Sequence, residues 1–323
     1  MPLQHRDPVH LDTLGPSLTD QLCNSAAPIA GDLPIAHFSP GGPLIAVDLD
    51  DVLSQTNAAI SESLMTPDPG TGHNDNHGSP DEMSISTIYY YYYWKSPFWG
   101  TPEVTHSKVR EFYKTNWIEH VRPVPGAKEG VETLRQLGYR LVIVTARNKN
   151  VEHASWEWAK RHFGDAFECI ICTGQFASAQ QAVVDGVYKN LNPNGEHSLA
   201  TKSSKAQVCI DIGAKLLIDD SVENAMACVT YEAPPGVEDV PPKVLLFGEY
   251  EWGKRLSRRS TDERDEMTYA NRVDAEGGNQ FLKQDCMHCE EEMAAVDSKQ
   301  VERVKGWREV VAYVTAEKAA GRL

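Results

Sequence analysis

Short apolar runs alternate with amphipathic stretches over the middle of this chain. The first run, Leu44 to Val47, ends in carboxylates within PLIAVDLDDVL. From Pro125 the alternation becomes regular. GAKEGVETLRQLG places Val131, Leu134 and Leu137 on one helical face, and Gly138 fits a C-cap. YRLVIVT is a continuous apolar strand of the kind buried in a parallel sheet. NKNVEHASWEWAKRHFG then reads as a helix, ECIICT as a strand, SSKAQVCIDIG as a helix closed by Gly213, and AKLLIDD as a strand. SVENAMACV begins a further helix and PPKVLLFG gives the last strand. Strands alternating with helices predict an α/β fold, a doubly wound parallel sheet.

The flanking segments lack this order. Residues 1–43 are rich in Pro, Gly, Ser and Asp without a period and read as a disordered extension. Residues 66–82 are polar and full of breakers, a loop insertion. After them come the aromatic SISTIYYYYYWKSPFWGTP and a stretch of helical spacing, THSKVREFYKTNWIEHV. Residues 254–300 turn polar again and are expected to form a mobile excursion. VERVKGWREVVAYV, with amphipathic helical spacing, is expected to dock back on the core.

Composition narrows the classes. Hydrophobic residues make up 41% of 323, enough for a sizeable core, and 31 basic residues face 46 acidic ones. A net charge of −15 argues against general nucleic-acid binding. The start lacks a secretory signal, and no apolar stretch is long enough to span a bilayer, so the expectation is a soluble cytoplasmic protein with no membrane partner. Seven scattered cysteines suit reduced thiols. Cys169/Cys172 and Cys286/Cys289 form two CxxC pairs, but the first lies in an apolar strand whose residues three apart face opposite ways. A shared zinc site is disfavoured on that ground.

Three predicted strands end in polar residues: Asp48-Leu49-Asp50-Asp51, Thr145-Ala146-Arg147 and Asp219-Asp220. In open α/β sheets ligands bind outside these carboxyl ends. Each group alone is compatible with ordinary helix capping; their joint appearance converges carboxylates, a hydroxyl and an arginine on one crevice. Phosphoryl transfer needs such a set: an in-line nucleophile, positive charge on the equatorial oxygens, and a divalent cation to offset carboxylate repulsion. Arg147 is compatible with either a substrate contact or a salt bridge at the strand end.

DLDDVL, VIVTAR, a lysine ahead of the third of these strands, and LLIDDS resemble the four motifs of the haloacid dehalogenase superfamily, over roughly Leu44 to Gly248. The resemblance implies a Mg²⁺-dependent phosphatase with a Rossmann-like core over 44–56 and 122–250. It implies Asp48 as nucleophile and Asp50 as general acid/base, which also offers its backbone carbonyl to the metal. Thr145, with Ala146 and Arg147, would bind the phosphoryl group, and Asp219 and Asp220 would hold the metal. Lys202 and Lys205 both precede the helix; Lys205 opens it directly and is preferred as the phosphate-binding lysine. Asp51 departs from the glycine that many of these phosphatases carry there.

In that family an insertion at 57–121 is a helical cap over the crevice. The wording of TAR and IDDS is similar to the deoxyribonucleotidase-like group, which implies a nucleoside monophosphate or other small phosphomonoester. Tyr89 to Trp94, Phe98 and Trp99 would then stack on a flat substrate group or form the cap's own core. Two other readings compete. One is a nucleic-acid end-processing phosphatase with Lys95, Lys108, Arg110 and Lys114 as a basic track. The other is a non-catalytic interaction protein on the same scaffold.

Overall fold

The computed structural model describes residues 41–65, 83–174, 204–233, 240–257, 262, 264–296 and 300–323. The extension expected up to residue 40, the insertion 66–82 and Lys202 lie outside the described residues.

Apolar runs become a six-stranded parallel sheet. Its strands are β1 (Leu44–Val47), β2 (Arg140–Thr145), β3 (Ile170–Cys172), β4 (Leu216–Asp219), β5 (Lys243–Phe247) and β6 (Val301–Val304), in the order β3-β2-β1-β4-β5-β6. The chain winds outward from β1 to β3, then crosses back to place β4 on the other side of β1. Val47 is opposite Ile143 on one side and Ile218 on the other. The loops after β1 and β4 therefore splay apart at the switch point, where a crevice opens.

Each central strand is buried on both faces, so its alternate side chains feed two cores. Ile45, Val47, Leu141, Ile143, Ile218 and Phe247 pack on one side. They meet α4 (Ala127–Gln136), α5 (Glu152–Phe163) and α10 (Trp307–Ala319). Leu44, Ala46, Val142, Leu217 and Leu246 face the other side. There they meet α6 (Lys205–Asp211) and α7 (Val222–Val229). Gly130 on α4 is required by close approach: a Cβ there would lie 2.3 Å from the Trp307 ring. That approach lets the Trp307 indole N–H reach the Val52 carbonyl, 2.8 Å away, and brace the loop that follows β1.

Between β1 and β2 the chain forms α1 (Thr56–Met65), α2 (Pro102–Lys114) and the short α3 (Trp117–His120). Ile60, Ile88, Trp99, Phe112 and Val121 give this segment a hydrophobic cluster of its own, joined by Trp252 from beyond β5. α2 opens with Thr101 accepting from the Val104 N–H and Pro102 at its first position, which suits a proline because that N–H needs no partner.

Two expectations fail at the C-terminal end. PPKVLLFG is not the last strand: Val301–Val304, expected to be the start of a helix, pairs in parallel with β5. Val301 and Val304 have helical spacing, yet only the edge of β5 is available to the segment's backbone. The helix begins later, at Trp307. Nor is 254–300 an irregular excursion over its described part. It holds α8 (Tyr269–Glu276) and α9 (Phe281–Ala294). The fully buried Phe281 packs with Tyr90, and Cys289 joins the core beside β5. A few well-placed apolar residues suffice to anchor these helices despite their charge.

No helix among the described residues is long and apolar enough to cross a membrane.

Candidate active site

The residues at the carboxyl ends of β1, β2 and β4 meet in one crevice. Asp48 follows β1 directly and is buried, its N–H bonded to the Ile218 carbonyl of β4 at 2.9 Å. Its Oδ1 accepts from the Leu49 N–H at 2.7 Å. Its Oδ2 lies 2.7 Å from the ammonium of Lys205, the first residue of α6. The same ammonium donates to Asp219 Oδ2 at 2.8 Å. Lys205 is thus the lysine that bridges β1 and β4, and its side chain is 1% exposed.

Oxygens of Asp48, Asp219 and Asp220 can all lie within 4.8 Å of one another. Three buried carboxylates against one ammonium leave excess negative charge. Burial, together with Asp219, Asp220 and Asp50, pushes the Asp48 carboxyl well above its usual range, although Lys205 opposes it. Burial also raises Asp220, with Asp219 and Asp51 adding to it. For Lys205, burial alone would depress the ammonium, but Asp219 and Asp48 hold it well above the usual lysine value. Crowded, buried carboxylate oxygens are the donor set for a hard divalent cation, which Asp48, Asp219 and Asp220 could hold together.

The Asp50 side chain, expected to act as general acid/base while its backbone carbonyl serves the metal, is held by Arg147. It accepts from Arg147 Nε at 3.0 Å and from an Arg147 terminal nitrogen at 2.7 Å. Thr145, the last residue of β2, donates to its other oxygen at 3.2 Å. Burial alone would raise Asp50, but the Arg147 guanidinium and its hydrogen bonds, with help from Thr56, hold the carboxyl below its usual value. Arg147 is itself fixed by Ser155, at 2.8 Å, and lies over the Tyr113 ring of α2. It forms the ion pair at the strand end and lines the crevice beside Ala146.

Asp51 stands in the left-handed region, φ 55°. That conformation suits glycine and, among other residues, aspartate and asparagine. Its carboxylate is accounted for by the start of α1, accepting the Asn57 N–H at 3.3 Å.

Several partners escaped the sequence reading. Asn224 Nδ2 and the Ser221 N–H both donate to Asp219 Oδ1, at 2.9 and 3.0 Å. The signal was present in DDSVEN, where Ser221 caps α7 and Asn224 lies one turn on. The Trp252 indole donates to Asp220 Oδ2 at 2.6 Å and stacks on Tyr250, whose hydroxyl donates to the Asp51 carbonyl. Nothing in GEYEWGK marks these contacts in advance.

A cavity of about 430 Å³ rises from Asp48, Asp50 and Asp220. Tyr91, Tyr93, Trp94, Tyr113 and Trp252 contribute to its walls. The tyrosine run is no α-helix. It bends through 89–92 and closes in a 3-10 turn at Tyr93–Lys95. This divides its rings. Tyr90 turns its hydroxyl to Asp285 at 2.6 Å and packs on Phe281, whereas Tyr93 stacks on Trp99 and donates to Asn57 Oδ1 at 2.5 Å. The expected basic track also divides. Lys95 is buried in an ion pair with Asp262 at 2.7 Å, and Lys108 donates to the Phe98 carbonyl, leaving Arg110 and Lys114 at the cavity.

No protein-family model matches this chain, and no curated protein matches it. Solved structures with a related overall shape include a predicted phosphatase from Clostridium acetobutylicum (13% identity, 65% of this chain and 86% of that one, TM-score 0.37). A haloacid dehalogenase-like hydrolase from Streptococcus pneumoniae is similar at 15% identity, over 65% and 86% of the two chains, with TM-score 0.32. An L-2-haloacid dehalogenase from Xanthobacter autotrophicus is similar at 11% identity, over 85% and 98%, with TM-score 0.35. These neighbours are haloacid dehalogenase-superfamily hydrolases. At such scores the likeness adds nothing to what the sheet order and the site residues carry by themselves.

Proposed function

We propose that this protein is a Mg²⁺-dependent phosphohydrolase that works through an aspartyl-phosphate on Asp48. The observation that carries this reading is the Lys205 ammonium held between Asp48 and Asp219, with Asp220 completing a metal-compatible cluster at the switch point of the sheet.

A carboxylate oxygen of Asp48 attacks the phosphorus of a phosphate monoester, and the bond to the ester oxygen breaks. Asp50, in its acid form, gives its proton to the departing oxygen. Water then attacks the phosphorus of the aspartyl-phosphate, Asp50 takes up that water's proton, and phosphate leaves with Asp48 regenerated. The Arg147 pair keeps Asp50 ionised, the state needed for the water-activating half; the acid half needs this pair loosened. Lys205 and the Thr145 hydroxyl bind phosphoryl oxygens once substrate displaces their present partners. When bound, Mg²⁺ neutralises carboxylate charge that would otherwise repel the substrate phosphate.

The segment 57–121 acts as a cap, excluding water and choosing substrate. A small phosphomonoester with a flat group, such as a nucleoside monophosphate, suits the aromatic walls. The test is phosphate release from nucleoside monophosphates, sugar phosphates and a 3′-phosphorylated oligonucleotide, each with and without Mg²⁺. Metal-dependent release from a small ester is expected. Release that is indifferent to the metal contradicts this reading, and release from the oligonucleotide alone transfers it to nucleic-acid ends.

A further inference from the structure

The cavity is lined by charges of both signs. Its acidic lining residues, Asp48, Asp50, Asp51 and Asp220, all lie at the sheet end, and three of them are at most 5% exposed. From the segment between β1 and β2, α2 contributes His106, Arg110 and Lys114 to the lining, four residues apart on one helical face. Arg110 makes no ion pair among the described residues, and the Lys114 pair with Glu111 is open to water at both ends. None of the α2 residues that line the cavity is acidic. Tyr91, Tyr93, Trp94 and Tyr113 line the same cavity. In a chain of net charge −15, a cationic helix face directed into an aromatic cavity is a selective feature.

We infer that the substrate is a phosphomonoester whose leaving group carries a planar ring and a second anionic group, the ring held by the aromatic walls and the second anion by Arg110 and Lys114. This rests on the phosphohydrolase reading, which sets the reacting phosphate at Asp48. The charges then act in sequence. The cationic helix face draws in a polyanion that the carboxylates would repel without their metal, and the ring seats against tyrosine and tryptophan faces. The guanidinium of Arg110 suits a planar, bidentate contact with phosphate or carboxylate. α2 also carries Tyr113, whose ring lies against Arg147, so the helix that would hold the second anion touches the arginine paired with the proposed acid.

The test is calorimetric binding to the Asp48→Asn variant in Mg²⁺, so that turnover does not intervene. The probes are adenosine 5′-monophosphate, the 2′,5′- and 3′,5′-bisphosphates of adenosine, and ribose 5-phosphate. At low salt at least one bisphosphate is expected to bind about tenfold more tightly than the monophosphate, with the gap closing as salt is raised. Ribose 5-phosphate, lacking the ring, is expected to bind most weakly. In Asp48→Asn/Arg110→Ala the preference for the bisphosphate should fall to within about twofold. Equal binding of mono- and bisphosphates, or a preference that survives loss of Arg110, overturns the inference. Arg110 is exposed, so its removal leaves the fold in place. A wild-type protein that releases no phosphate from any ester contradicts the hydrolase reading instead, while this binding comparison still decides the question of the second anion.

Discussion

Lys205 Nζ stands 2.7 Å from Asp48 Oδ2, an ion pair with almost no access to water. It joins the end of β1 to the start of α6 and also reaches Asp219, so a single ammonium balances two carboxylates. Removing one partner of a buried pair leaves uncompensated charge, a cost of about 3–5 kcal/mol. Lys205→Met is therefore expected to lower the unfolding free energy by that order without metal. Added Mg²⁺ should recover more stability in the variant than in the wild type. Denaturant titrations of both proteins, with and without Mg²⁺, check this; equal stability of the two metal-free proteins contradicts it.

Trp252 fixes one oxygen of Asp220 from the cavity wall. Partners of this kind orient metal ligands and typically govern 10–100-fold in affinity. Trp252→Phe keeps the ring's stacking but removes the donor. About tenfold more Mg²⁺ should then be needed for half-maximal phosphate release, with turnover at saturating Mg²⁺ little changed. An unaltered Mg²⁺ dependence would show that the indole serves packing alone.

Burial pushes the Glu223 carboxyl up to about 7, even though Ser257, Ser221 and its own backbone bond it. Between its ordinary value of 4.5 and 7 the native protein holds a proton that the unfolded chain releases. Stability contributed in this way is present at the acid end of that window and is lost as pH rises through it. Urea unfolding across pH 4.5–7 should show this loss, at most about 3 kcal/mol, reduced in Glu223→Gln. Parallel profiles for the two proteins would refute the assignment.

Asp50 as proton donor predicts a dependence on the leaving group. Asp50→Asn should slow hydrolysis of alkyl phosphates by roughly 10²–10⁴-fold, and that of nitrophenyl phosphate far less, because the nitrophenolate needs little protonation. Steady-state rates on the two ester types decide it. Equal slowing of both points to a role in positioning rather than proton transfer.

The sheet centre was legible because β1, β2, β4 and β5 are largely apolar runs, a pattern set by burial on both faces. Lys205 was legible as the residue opening α6. By contrast, β6 carries two charged residues among four and borrows its identity from the neighbouring edge of β5. The helices after residue 264 rest on a few buried side chains, such as Phe281 and Cys289, among many charges. Within the site, Ser221 and Asn224 were missed despite a local signal, and Trp252 because its role arises only from long-range contact. Trp252 meets Asp220 across 32 positions, and the partner of Arg147, Asp50, lies 97 positions away although Arg147 itself was singled out. No local pattern encodes such pairings. Even the tyrosine run, conspicuous in sequence, did not reveal which rings would face the cavity, because its backbone bends instead of following a helical period.

The central claim is that Asp48 carries the phosphoryl group, and the most direct measurement compares phosphate release by the wild type and Asp48→Asn at saturating Mg²⁺. The substitution keeps side-chain volume and leaves Lys205 paired with Asp219, so cooperative thermal unfolding should persist. The account predicts release from the wild type and none detectable from the variant. Continued release by a folded Asp48→Asn protein would contradict it.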